Sequence, residues 1–485
     1  MKSYARIWVL VCAVAAIGGY ALLWHLVAAG APIIRRLDNI SSNPNPLVRH
    51  FSPTWRSLKK TLDIPFIIYA AFHPSSLPVY SITISKQAQI TLLTDLPDYP
   101  RQNKLTTEYD KKNVTGGFGY GTYHTTQAQI RYRGVSPNHW DAVKKSTQVN
   151  LPKKSPLEGR TAYRFFLGED KGWVRPMLFD HIADKLGIMA LGAQPARLIV
   201  NGKDAGVYDL IEGWEPSLLD RYGKPAGPLF SNQNTNTKNV DLWRSDQISE
   251  WYNRNEPLVP AESFPQLVEL LRVVSQTSDA EFAREIPAIL DIPTFLRWSV
   301  VTILSGNFHQ GNIANMNFYF NPETKKFEPI LFDATPSPIG PPANPRKRDL
   351  YFNHETKKFE PILSVAAPGS AEATVDLRNH RVVNRLLQND AFRKEFESLM
   401  AAYVSDDKNL KDDLAFYDQW AEKVKPAIFA DTAKIQTSIE ALEFIQDDRD
   451  YYEYNYLTLQ KMFRENGRLR YTFADETYPI TPVTN

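Results

Sequence analysis

Between Ser305 and Asp333 the chain reads SGNFHQGNIANMNFYFNPETKKFEPILFD, a polar loop followed by two short apolar-rich runs around a turn. The loop closes on Asn315. The run Asn317 to Asn321 and the run Phe327 to Phe332 have the composition of paired strands, the turn lies around Pro322 to Lys326, and the second run delivers Asp333. A hairpin sets its two ends side by side, so the amide oxygen of Asn315 and the carboxylate of Asp333 can converge. Two hard oxygen donors suit Mg²⁺, which keeps several waters and binds through one or two carboxylates plus substrate phosphates. The same residues also suit an ordinary surface hairpin that closes on an Asp.

The hairpin occurs twice. YFNPETKKFEPIL (Tyr319 to Leu331) returns as YFNHETKKFEPIL (Tyr351 to Leu363), with His354 where the first copy has Pro322. Solenoids carry several diverged copies, so one near-identical pair reads as a recent local duplication or an error in the gene model. The second copy runs on into Ser364 and Val365 where the first has Phe332 and Asp333. Only the first copy can supply the carboxylate.

Transfer of a phosphoryl group also needs cations on the phosphates and a group to take the hydroxyl proton. DAVKKSTQVNL places Lys144 and Lys145 just before a strand, and a lysine at a strand edge can hold phosphates as a point charge. A solvated lysine pair is the plainer reading of the same residues. Glu212 ends the apolar run GVYDLIE, and a carboxylate there is costly to bury without a cationic or metal partner. Lys145 is the expected partner. TGGFGYG (Thr115 to Gly121) could cover phosphates or form a mobile hairpin tip.

The elements that must carry these residues follow from periodicity. VYSITISKQAQITLL from Val79, AQIRYRG, STQVNL (Ser146 to Leu151) and YRFFL (Tyr163 to Leu167) read as strands. VRPMLFDHIADKLG (Val174 to Gly187) has helical spacing and a glycine stop, and ARLIVNGKDAGVYDLIE is a hairpin about Asn201-Gly202. Past Pro260 the chain is mainly helical, with PTFLRWSVVTILSG ending at Gly306 immediately before the candidate loop. PSPIGPPANPRKRD (Pro336 to Asp349) is too proline-rich for regular structure. Amphipathic helices with many tyrosines fill Val382 to Asn466, the tyrosines reading as core. The expected fold is α+β, with a strand-rich N-terminal half (76–230), a helical C-terminal half (260–475) and the site hairpin (315–333) between them.

At 485 residues and 43% hydrophobic, the chain can bury a large core. A formal charge of +2 provides no global field for nucleic acid, so no nucleic-acid partner is expected. Cys12 is the single cysteine and lies in the N-terminal apolar run, which excludes disulfides and thiol chemistry from the rest. From Ile7 to Ile34 there is no charged residue, bracketed by Lys2, Arg6, Arg35 and Arg36. That exceeds the roughly 20 residues that cross a bilayer. Residues 1–36 therefore read as an uncleaved signal anchor, a single transmembrane helix. Ala29-Gly30-Ala31 leaves signal cleavage open. Residues 37–75 read as a juxtamembrane connector. On this reading the protein is a single-pass membrane protein with its large domain (76–475) extracytoplasmic, periplasmic or at the cell surface.

The ordered set IRYRGVSPNHW, KKSTQVNL, GIMALGAQPARLIVNGKDAGVYDLIE, SGNFHQGNIANMNFYF and FEPILFD resembles the spore-coat protein H (CotH) kinase family, over about Ile130 to Asp333. The resemblance implies a kinase-like fold and an ATP- and divalent-metal-dependent (Mg²⁺ or Mn²⁺) protein kinase. Such an enzyme would phosphorylate Ser or Thr hydroxyls of secreted or surface proteins. Protein kinases likewise hold metal between a loop Asn and an Asp joined by a short hairpin. Position by position, the resemblance assigns Arg133 and Gly134 to the family's RG, Lys145 to its phosphate-contacting lysine and Glu212 to its hairpin glutamate. Asn315 and Asp333 fall on its metal ligands. Three features depart from the family. Nothing acidic lies between Ser305 and Pro322, where the family usually places its base, and the loop offers His309, Gln310 and Asn312. Phe332 replaces a tryptophan, and KKSTQVNL lacks a further basic residue. His309 is the expected proton acceptor, since an imidazole titrates near neutral pH. A catalytically impaired pseudokinase, working as a scaffold in envelope or coat assembly, is the alternative. A glycan-binding module would have no need of Lys145, Glu212, Asn315 and Asp333 together.

Overall fold

The computed structural model describes residues 18–22, 60–96, 111–134, 139–140, 143–232, 241–306, 310–312, 315–334, 374–378 and 380–474, and the backbone of 350–353 and 358–361. The strand-rich half is a closed barrel. Its strands are β1 (Val79–Thr83), β2 (Val114–Tyr120), β3 (Tyr123–Tyr132), β4 (Thr147–Asn150) and β5 (Ala162–Leu167). After the two-residue strand β6 (Met189–Ala190), which joins the other half, come β7 (Ala193–Val200) and β8 (Lys203–Glu212). The order is β1-β2-β3-β4-β5-β8-β7, and parallel pairing of Tyr80 with Leu198 closes the ring. Alternation along each strand turns Tyr80, Ile82, Phe118, Ile130, Val149, Phe165, Tyr208 and Leu210 into the barrel, where they form one buried core. The intervening Val207, Asp209 and Ile211 of β8 therefore face out of the barrel.

The helical half is built on a five-stranded sheet, β10-β9-β11-β12-β6, in which β9 is Leu229–Asn232, β10 Trp251–Asn253, β11 Asn317–Asn321 and β12 Lys326–Leu331. Because β6 pairs with β12 (Met189 to Ile330) and leads straight into β7, the two halves share a continuous connection beside the site. The helix Ile292–Ser305 is buried on nearly every side, starts from the Asp291 cap (2.9 Å to Thr294 N–H) and stops at Gly306, whose φ of 71° only a glycine adopts cheaply. That stop releases the chain into the candidate loop.

The α+β expectation holds, with corrections. The transmembrane helix, signal anchor, membrane partner and membrane location read from residues 1–36 are not borne out: among the described residues no helix is long and apolar enough to cross a membrane. Of the run Ile7 to Ile34, only Gly18 to Leu22 are described, as a short helical stretch. The expected connector contains a helix, Ile64–Phe72. The long strand expected from Val79 ends at Thr83, because Ser85 caps a helix (Lys86–Thr94) by accepting from Ala88 N–H at 3.1 Å. TGGFGYG is mostly strand β2 and not a hairpin tip. The second hairpin forms with the register of the first, Phe352 opposite Phe359 as Phe320 is opposite Phe327, in a separate two-stranded sheet. The loop Pro336 to Asp349 lies outside the described residues.

One core residue gives a direct pH expectation. His380 is buried against Trp298, Trp243 and Phe295 and accepts from Val383 N–H at 3.2 Å, capping the helix Arg381–Gln388. Burial pulls its pKa down to about 3. The unfolded chain takes up this proton near pH 6.5, so the stability is complete above about pH 6.5 and is lost toward pH 3, at up to about 1.4 kcal/mol per pH unit. His380→Asn keeps an acceptor at the cap and is expected to flatten the fall in melting temperature between roughly pH 6 and 4. An unchanged slope would place the acid sensitivity elsewhere.

Candidate functional site

The hairpin β11–β12 does what its sequence demands. Phe318 pairs with Pro329 and Tyr319 with Glu328, and Asn315 and Asp333 lie just beyond the open end of the hairpin, one on each side. Both ends are backbone outliers: Asn315 has φ 62° and Asp333 φ 58°, left-handed conformations outside glycine. Each costs on the order of 1 kcal/mol, and such costs persist where the surroundings fix them, characteristically at functional sites. The surroundings here are explicit. The Asn315 carbonyl accepts from Asn317 Nδ2 at 2.6 Å, Asn317 Oδ1 accepts from Ser231 Oγ, and Ser231 Oγ accepts from Arg254 Nε. On the other strand, Phe332 N–H donates to Gln310 Oε1 at 3.2 Å, and the Asn312 side chain accepts from Arg381 N–H at 2.6 Å.

Asp333 meets the barrel half through Lys171, whose ammonium lies 2.6 Å from Asp333 Oδ1 and 3.2 Å from Asp170 Oδ2. Lys171 ends a one-turn helix (Gly168–Lys171) that follows β5 directly. Phe166, the last but one residue of β5, is the platform of the site: Arg133 stacks on its ring at 4.0 Å, Lys171 lies 5.2 Å from its centre, and the His139 ring is 6.0 Å away. His139 Nδ1 stands 3.3 Å from Ser146 Oγ and 3.7 Å from Asp170 Oδ2. Arg133, His139, Asp170, Lys171 and Asp333 thus form one cluster.

Burial opposes charge on Lys171, but the carboxylates of Asp170 and Asp333 outweigh it and raise its pKa. Burial would raise Asp170, but the Lys171 ammonium outweighs it and holds the carboxyl below the usual range. Burial lowers His139, which is therefore neutral at pH 7. A narrow cleft opens here, lined by Lys171, Arg175, Asp180, Ile211, Phe332 and Asp333 among others. Asp209, on the same outer face of β8 as Ile211, is fully buried, and neither carboxylate oxygen has a hydrogen-bond partner among the described residues. Burial pushes its carboxyl well above the usual range, against the pull of Lys171 and Lys144.

Of the residues expected from sequence, Arg133 and Asp333 meet in this cluster, and Asn315 stands at the other end of the hairpin with its carbonyl held by Asn317. The Lys145–Glu212 pair is not formed. Lys144 is the inward lysine, 2.8 Å from Asp431 and 3.4 Å from Glu169, while half-buried Lys145 donates to the Trp140 carbonyl at 2.7 Å. Glu212 is held by Arg221 at 2.8 Å and by Arg160 at 3.7 Å. His309 lies outside the described residues. Sequence reasoning passed over Lys171, Asp170 and His139. The readable signal was GEDK, three charges set directly after the apolar strand YRFFL.

Comparison with known proteins adds two findings. Residues 130–465 match a family model described as CotH kinase protein. The chain is also 24% identical over 208 residues, 42% of its length, to Inner spore coat protein H of Bacillus subtilis (strain 168). The match spans 57% of that relative's length.

Proposed function

The chain belongs to the CotH kinase protein family, and on that premise we propose that it transfers phosphate from ATP, with Mg²⁺ or Mn²⁺, to Ser or Thr hydroxyls of secreted or surface proteins. The coat named for the relative is one such setting. The observation that carries the reading is the Asp333–Lys171 pair at the mouth of the hairpin, with Lys171 and Arg133 both over the Phe166 ring. The donor set fits the metal: one carboxylate and one amide oxygen, both at positions whose backbone is held in a costly conformation. A bound Mg²⁺ or Mn²⁺ would neutralise charge on the phosphate oxygens. Arg133 and Lys171 supply fixed positive charge beside it, and Asp170 keeps Lys171 paired and oriented. Lys145, one residue from Ser146 at the edge of the cluster, remains a candidate phosphate contact, and His309 the candidate acceptor of the hydroxyl proton. Glu212 serves through Arg221, which also donates to the Ala190 carbonyl on β6.

A pseudokinase reading has its own support: the loop from Ser305 to Pro322 holds no carboxylate. Incubating the purified full chain with labelled ATP, Mg²⁺ or Mn²⁺ and a serine-rich acceptor decides between them. Metal-dependent incorporation that vanishes in Asp333→Asn and persists in Asp349→Asn supports the kinase. Metal-dependent binding without transfer supports the scaffold, and absence of both removes the nucleotide site.

The second hairpin is expected to be dispensable. It pairs with itself and ends without an acid, so deleting Pro345 to Ser364 is expected to leave ATP affinity within about twofold of the parent. A folded deletion that no longer binds ATP would put the second copy in the site.

A further inference from the structure

Asp209 is a buried acid to which the proposed chemistry gives no role. It lies on β8 directly opposite Phe166 of β5. Opposed residues of an antiparallel pair share one face of the sheet, so Asp209 sits beside the ring that carries Arg133 and Lys171. It is fully buried, and neither oxygen has a hydrogen-bond partner among the described residues. A carboxyl buried without a partner is costly, and such groups mark strain, chemistry or a cation that comes and goes.

Three cations bear on it electrostatically, Lys171, Lys144 and Arg175, with Glu169 as an acidic neighbour. Two of the three are committed elsewhere. Lys144 holds Asp431 at 2.8 Å, Glu169 at 3.4 Å and the Val207 carbonyl at 2.7 Å. Arg175 makes a forked pair with Asp448, at 2.9 and 3.2 Å. Lys171 differs, because its ammonium lies 2.6 Å from Asp333, the carboxylate that a divalent cation would need, and 3.2 Å from Asp170. A divalent cation on Asp333 repels an ammonium held by the same carboxylate. Resting on the metal reading of Asp333, we propose that Asp209 is the second seat of Lys171: the ammonium holds Asp333 in the absence of a divalent cation and turns to Asp209 in its presence. Asp170 keeps its hold on the lysine through the turn, so the positive charge stays beside the site. Lysine suits the exchange, being a point charge on a flexible four-carbon stem. Asp209 is then a positioning residue, and Lys171 is an internal cation that any metal has to displace.

Binding of Mn²⁺ alone to the full chain, followed by the paramagnetic resonance of the free ion, tests this. Asp209→Asn keeps the shape but offers the ammonium no charge, and is expected to weaken Mn²⁺ binding about tenfold. Asp209→Leu, which leaves no polar group behind, should show the same loss. Lys171→Met clears Asp333 and is expected to tighten Mn²⁺ binding about tenfold. In that background Asp209→Asn should change the affinity by less than about twofold, because the residue it serves is gone. A loss of equal size with and without Lys171 overturns the exchange. So does parent-like affinity in both Asp209 variants, or a Lys171→Met protein that binds no tighter than the parent. Those results leave the metal reading standing wherever Asp333→Asn still lowers Mn²⁺ binding. If Asp333→Asn binds Mn²⁺ like the parent, the metal reading itself falls, and the exchange falls with it.

Discussion

Asp333→Asn is expected to lower metal-dependent ATP binding and phosphate transfer by roughly 100-fold or more, because a metal's charge stabilisation is worth several kcal/mol and depends on an anionic ligand. The substitution keeps the shape of the side chain and the left-handed backbone, which Asn tolerates nearly as well as Asp. It removes the partner 2.6 Å from Lys171, but Asp170 stays 3.2 Å from the same ammonium, so the buried lysine is not stranded. The stability loss should therefore stay near 1–3 kcal/mol, the scale of one charged hydrogen bond. Asp170→Asn provides the contrast. It removes the other carboxylate from Lys171 and is expected to cost similar stability while metal-dependent binding persists at Asp333. If Asp333→Asn binds Mg²⁺ and ATP like the parent, or if both variants lose binding alike, the site is not built on Asp333. Titration calorimetry with Mg²⁺–ATP, beside thermal melts of the two proteins, separates these outcomes.

How much of this site was legible can be read residue by residue. The β11–β12 hairpin was visible because alternation and turn chemistry are local, and Asn315 and Asp333 follow from its two ends. Most barrel strands were visible for the same reason. The closure of the barrel was not, since the parallel β1–β7 pairing joins distant segments with no turn between them. Lys86–Thr94 was read as strand because Ile and Thr suit a strand, while the Ser85 cap that decides for helix is a single residue. Lys144 and Lys145 precede β4, so strand alternation could not say which turns inward. The choice is made by Asp431, hundreds of residues further on, which no local pattern encodes. Lys171 escaped because a single helical turn has no periodicity.

The largest stability effect is expected at Asp431. This carboxylate is fully buried and has four partners. Oδ2 accepts from Lys144 Nζ at 2.8 Å and Val207 N–H at 3.0 Å, and Oδ1 from Ala433 N–H at 2.8 Å and Lys434 N–H at 3.0 Å. It thereby ties β8 and the lysine segment of the barrel to the end of the helix Asp407–Ala430. The approach is close enough that Gly206, at φ 92°, has no room for a Cβ against the carboxylate. Burial works against charge on Lys144, yet Asp431 and Glu169 outweigh it and keep the ammonium protonated. Asp431→Leu leaves Lys144 buried with the Val207 carbonyl at 2.7 Å and Glu169, at 3.4 Å, as its remaining carboxylate, and strands backbone donors as well. Breaking one side of a buried pair costs about 3–5 kcal/mol, and each orphaned N–H adds about 1–3. Lys144→Met should cost less than Asp431→Leu, because the carboxylate keeps three backbone donors. The double variant should cost less than the two singles added together, by about 1–3 kcal/mol, since the second change removes a charge the first left unpaired. Urea unfolding of the four proteins closes the cycle, and strict additivity would mean that Lys144 and Asp431 do not hold the two halves together.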